Sequence, residues 1–118
     1  MVIPMFSLLI AASCDHTIKT ATYHVYNHSQ FQVTEIWVPA RTEKGYINVL
    51  EPDESCTLIS EWVEGQTIAG EIGFYMNGED FGVRLKEEIT DTRRFKPGKR
   101  ISNGDIITVR IYDDHWEW

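Results

Sequence analysis

The sequence predicts an all-β chain folded as one antiparallel β-sandwich of about seven or eight strands. Runs of β-branched and aromatic residues recur at short intervals, turn-forming residues separate them, and no stretch of about eleven residues carries an apolar stripe at helical spacing. With 118 residues, 42% of them hydrophobic and 25% charged, the chain can fill one packed core and is too short for two domains.

The predicted strands run from Thr20 to Asn27, Phe31 to Val38, Tyr46 to Leu50, Cys56 to Trp62, Glu71 to Met76, Phe81 to Leu85, Ile89 to Phe95 and Asp105 to Tyr112. Asn27-His28-Ser29-Gln30 and Asn77-Gly78-Glu79-Asp80 offer Asn and Gly for positive φ, so each is expected to reverse the chain between antiparallel neighbours. Around the second turn, Ile72, Phe74 and Met76 share one face of their arm, as do Phe81, Val83 and Leu85. Glu51-Pro52-Asp53-Glu54 reads as an acidic turn entering a core strand at Cys56, a feature common in small immunoglobulin-like domains, and the sandwich is expected to be of that immunoglobulin-like kind. Pro39, Pro52 and Pro97 all fall outside the strands, where a residue without an N–H belongs. Ile107, Val109 and Ile111 alternate with Thr108, Arg110 and Tyr112, which places the last long strand in the middle of a sheet. Trp37 and Trp62 lie within strands and are expected in the core, and Lys86-Glu87-Glu88 is expected as a solvated turn.

Before the first charged residue, Asp15, the chain reads Met1-Val2-Ile3-Pro4-Met5-Phe6-Ser7-Leu8-Leu9-Ile10-Ala11-Ala12-Ser13-Cys14. The apolar run is too short to span a bilayer and ends in small residues, as a secretory signal does. Leu9-Ile10-Ala11-Ala12-Ser13-Cys14 resembles the lipobox of bacterial lipoproteins, with Ser13 before the cysteine as in those of the Bacteroidota. The resemblance implies that residues 1–13 are a signal peptide and that Cys14 carries a diacylglyceryl group. It further implies a body anchored to the outer membrane, facing the periplasm or the cell exterior. Residues 14–19 then form a tether and 20–118 the domain. Cys56, the only other cysteine, is expected as a small hydrophobe of its strand; the alternative is a Cys14–Cys56 disulfide in an unacylated form.

Eighteen acidic against eleven basic residues give a net charge of −7, which disfavours nucleic acid as a partner. A hydrolase is not expected, because the chain has no Gly-x-Ser-x-Gly elbow and its adjacent carboxylates would point to opposite faces of a strand. No cofactor is expected. A metal site would require at least three of His24, His28, Asp113, Asp114 and His115 to converge through the fold. Two features suit binding to a protein or a glycan. The terminal Trp116 and Trp118 face one way if the tail is extended; they either complete a sheet or offer an aromatic edge to a partner. Arg93, Arg94, Lys96, Lys99 and Arg100 concentrate five positive charges around a Lys-Pro-Gly-Lys turn, a patch suited to anionic lipid headgroups, a polysaccharide or an acidic protein, against a bland reading in which neighbouring acids balance them. The expected function is a non-catalytic, lipid-anchored module for binding or assembly in the cell envelope. The alternatives are an inhibitor of a basic hydrolase, steered by the acidic surface, and a small metal-binding protein or enzyme.

Overall fold

A computed structural model describes residues 18–66 and 68–118. The expected signal peptide and Cys14 lie outside the described residues. Eleven strands occur within them: β1 (Ile18–Asn27), β2 (Val33–Trp37), β3 (Tyr46–Leu50), β4 (Ser55–Val63), β5 (Ala69–Gly70), β6 (Gly73–Met76), β7 (Glu79–Val83), β8 (Phe95–Lys96), β9 (Lys99–Arg100), β10 (Ile106–Ile111) and β11 (Trp116–Glu117). They form a four-stranded sheet ordered β11-β10-β1-β4, a five-stranded sheet ordered β3-β2-β6-β7-β8, and the two-stranded ribbon β5-β9. The chain is all-β and sandwich-like, as its periodicity predicts. The count exceeds eight because four of the strands are two-residue ladders.

Alternation decides what is buried. In the first sheet Ala21, Tyr23 and Val25 of β1, Leu58 and Trp62 of β4, Ile107, Val109 and Ile111 of β10, and Trp116 of β11 turn inward. Val33, Ile36, Leu50, Phe74, Met76 and Phe81 of the second sheet meet them in one core. Phe74 and Trp116 touch across the interface, ring edge to face with centroids 6.1 Å apart. β10 lies between β1 and β11, in mid-sheet as expected.

Two pairings depart from an antiparallel design, β1 with β10 and the short β7 with β8. The first and last long strands run parallel over six residues, from Thr22 opposite Ile106 to Asn27 opposite Ile111. β4 closes the other side of β1 in antiparallel register, so β1 is covered on both edges. β1 opens at Ile18, two residues before the expected start of the domain.

The turns show which residue chemistry governs where. Asn77 and Gly78 have φ of 51° and 77°, as a two-residue type I′ hairpin requires, and they join β6 to β7 directly. Asp53 takes the left-handed conformation, φ 67°, behind Pro52 between β3 and β4. Asn27 corrects the first turn: β1 and β2 belong to different sheets, so no hairpin forms there. Its buried amide donates to the carbonyls of Phe31 and Leu50 at 2.8 and 3.1 Å, while its oxygen accepts the Ser29 N–H and hydroxyl at 3.0 and 2.6 Å. Every polar atom of that side chain is satisfied, which is what lets an amide stand in the core at a crossing between sheets.

Three further expectations are corrected. Trp37 is not core: it is 42% exposed. Glu35, at φ 51°, is an extra residue in β2 relative to β6, and it resets the alternation so that Ile36 points in and Trp37 out. Leu85 is exposed because β7 ends at Val83. The segment Ile89 to Phe95 is not a strand; a 3-10 turn at Lys86–Glu88 and a loop precede the two-residue β8, which pairs parallel with β7. Asp91 shapes that loop: its carboxylate accepts the backbone N–H of Arg93 at 3.0 Å, and its carbonyl accepts the N–H of Phe95 at 3.0 Å.

Candidate functional site

The loop that replaces the expected strand forms one wall of a cleft. Lys86, Ile89, Thr92, Phe95, Lys96, Pro97, Gly98, Lys99 and Trp118 line a space of about 580 Å³, within the range of roughly 300–1,000 Å³ typical of small-ligand sites. Short ladders hold it in place. β8 fixes Phe95 and Lys96 against β7, β9 pairs Lys99 with Gly70, and β11 carries the chain to Trp118 along β10.

The terminal tryptophans divide in role. Trp116 is fully buried and its Nε1–H donates to the carbonyl of Arg94 at 2.9 Å, so it cannot be the exposed edge a partner would need. The tail completes the sheet, with Trp116 opposite Ile111. Trp118 stays half-buried, edge to face on Trp116 at 5.1 Å, and lines the cleft.

The basic cluster divides as well. Arg94 is tied to Asp80 at 2.6 Å and to Glu79 at 3.3 Å, and Arg93 lies 3.7 Å from Asp91 and 3.8 Å from Asp114. Their charges are balanced by neighbouring acids, and both lie away from the cleft, along a hollow they share with Glu79, Asp91, Asp113 and Asp114. Arg100 is exposed on β9 and does not line the cleft. Lys96 and Lys99 do line it. The Lys96 ammonium stands 5.6 Å from the Trp116 ring centroid and the Lys99 ammonium 5.3 Å from that of Trp118, at the range where ring quadrupoles attract cations.

Sequence reasoning missed Lys86, which stands in the short acidic turn expected to be merely solvated. The fold separates its three charges: Lys86 joins Lys96 and Lys99, whereas Glu87 and Glu88 line a neighbouring hollow with Glu71. Lys86, Pro97 and Gly98 border both spaces and form the ridge between them. Among the described residues the cleft wall thus holds three lysines and no Asp or Glu side chain, and none of the three lysines is in an ion pair. No family model, no curated protein and no solved structure matches this chain.

Among the described residues the histidines do not gather. His24 pairs with the Thr57 hydroxyl at 3.2 Å. His28 and His115 stack against Tyr112 with centroids at 5.5 and 4.8 Å, and His28 Nε2 accepts from Arg110 at 3.1 Å. His115 bonds Asp114 at 2.8 Å, and that hydrogen bond holds the Asp114 carboxyl below its ordinary range. Among the described residues no three His, Cys, Asp or Glu side chains come together as a metal group. Cys56 packs against the core, and burial pushes its thiol up to about 11, away from the reactive range.

Proposed function

We propose that this protein is a lipid-anchored binding module of the cell envelope, held at the membrane through Cys14 and engaging an anionic partner in the Trp118 cleft without catalysing a reaction. The observation that supports the binding role is the charge segregation: among the described residues, three lysines and no Asp or Glu side chain line one cleft of a chain whose net charge is −7. Burying one ammonium among neutralising acids would be the ordinary outcome on so acidic a surface. A gathered, unpaired set instead suits a ligand that brings the negative charge. The envelope address rests on the lipobox-like Leu9 to Cys14 segment.

The experiment is retention on purified, delipidated envelope from the source cells, comparing the native chain with Lys96→Glu/Lys99→Glu. Retention of the native chain that weakens with salt and is lost in the double variant is expected. Equal retention of the two chains contradicts the cleft as the binding surface. The anchor is read separately, as the intact mass of detergent-extracted protein beside a Cys14→Ala control, where a diacylglyceryl increment on a chain beginning at Cys14 is expected.

A further inference from the structure

We infer that the ligand of this cleft is an acidic oligosaccharide whose sugar rings carry carboxylates, an assignment that rests on the binding role proposed above. Charge complementarity selects an anion. Lys86, Lys96 and Lys99 line the space from three separate segments, and among the described residues no Asp or Glu side chain lines it.

Shape then narrows the class. The acidic surface surrounding the cleft, including Glu71, Glu87 and Glu88 just beyond the ridge, repels any broad polyanion laid across the face. A lipid bilayer or a nucleic-acid duplex laid across both hollows would meet those carboxylates as well as the lysines. A single narrow chain inserted between the walls avoids them.

Apolar planes decide between narrow chains. Trp118 and Phe95 line the cleft together with Ile89, so a ligand meets ring and aliphatic surface as well as ammonium. Both guanidinium groups of Arg84 and Arg94 lie over the Phe95 ring, at 4.5 and 4.9 Å, whereas Trp118 carries a single cation, the Lys99 ammonium at 5.3 Å, and is the less covered plane. A pyranose ring offers a C–H face to an indole while its carboxylate reaches an ammonium, and Lys99 stands over the same ring to receive it. The side chain of an aspartate or glutamate has no such face. The Thr92 hydroxyl adds a group that can both donate to and accept from sugar hydroxyls.

The test is titration calorimetry on the unacylated Cys14→Ala chain in detergent-free buffer with four probes: trigalacturonate, a neutral trisaccharide of similar length, triaspartate, and phosphatidylglycerol vesicles. Trigalacturonate is expected to bind at least about tenfold more tightly than the other three. Trp118→Ala should weaken it by roughly 3- to 10-fold, the scale of a lost aromatic contact. Lys99→Gln, which leaves the ring in place, should weaken it and reduce its salt dependence. Triaspartate or vesicles binding as tightly as trigalacturonate, with no effect of Trp118→Ala, overturns the sugar assignment and leaves an anion-binding cleft. Equal binding of the neutral trisaccharide overturns the carboxylate requirement. Heat from none of the four probes overturns both the assignment and the cleft as a binding site.

Discussion

The indole of Trp37 lies directly on the backbone of Gly73, the residue opposite it on the adjacent strand β6. A methyl group at position 73 would occupy the space of Trp37 Nε1, so glycine is what allows an exposed tryptophan to lie flat on this face of the sheet. Gly73→Ala is expected to displace the ring and lower stability by about 1–3 kcal/mol, the usual cost of overpacking. Urea unfolding measures the loss. In a Trp37→Ala background the same change should cost much less, and equal costs in the two backgrounds would show that the two residues are not coupled.

Trp116 and Trp118 are two residues apart yet should behave differently. Trp116→Ala empties the centre of the sandwich and leaves the Arg94 carbonyl only its bond from the Gly82 N–H, so it should cost about 3–5 kcal/mol. Trp118→Ala removes a half-buried rim and should cost no more than about 1 kcal/mol. Thermal or urea unfolding of the two variants separates these outcomes.

Those contrasts show what was legible in the residues. Strict alternation from Ile107 to Ile111 and the Asn77-Gly78 turn carry their own geometry, so β10 and the β6–β7 hairpin follow from local pattern. The Glu35 bulge does not: a single residue in the left-handed region reverses which side of β2 is inside, and Trp37 follows. Ile89 to Phe95 has β-forming residues, but the hydrogen bonds of Asp91 win locally and fold the segment into a loop. At the cleft, Trp118, Lys96 and Lys99 were visible as candidates. Lys86 was not, and neither was the neutralisation of Arg93 and Arg94, because both depend on contacts between residues distant along the chain.

Burial of Cys56 has a kinetic consequence. With its thiol raised from about 9 to about 11, the thiolate fraction at pH 8 is roughly 100-fold below that of an ordinary cysteine. Alkylation of Cys56 by iodoacetamide in the Cys14→Ala chain should be slower by about that factor in the native state than in urea. Equal rates would place the thiol in solvent.

Alkaline stability follows with a definite sign. Burial raises Cys56 to about 11 and Tyr23 to about 12; the Tyr23 hydroxyl faces the Glu71 backbone short of hydrogen-bond geometry. Both groups are neutral in the fold and ionise sooner when unfolded. Their contributions are complete below the unfolded values, about 8.5 for Cys and 10 for Tyr, and are lost as pH rises through the folded values. The urea midpoint should therefore fall between pH 9 and 12, and Cys56→Val should flatten the lower part of that slope.

On the acid side the sign reverses. The hydrogen bond from His115 lowers Asp114; at Asp91 partial desolvation is outweighed by the backbone N–H groups of Arg93 and Arg94, so its carboxyl is lowered too. Stability from both carboxylates is complete above the ordinary value of about 3.9 and disappears as pH falls through the lower folded values. Asp91→Asn should shrink the drop in urea midpoint measured below about pH 4, and a drop of unchanged size would contradict the assignment.

The most direct measurement of the central claim is lysine footprinting of the native protein by acetylation and mass spectrometry, with and without delipidated envelope extract from the source cells. Lys86, Lys96 and Lys99 line one cleft, whereas Lys19 pairs with Glu64 at 3.5 Å and Lys44 lies in the turn before β3, both away from the cleft. Protection of the three cleft lysines together, with Lys19 and Lys44 unchanged, is the expected result. Labelling of all five lysines that does not respond to the extract would contradict a binding role for the cleft.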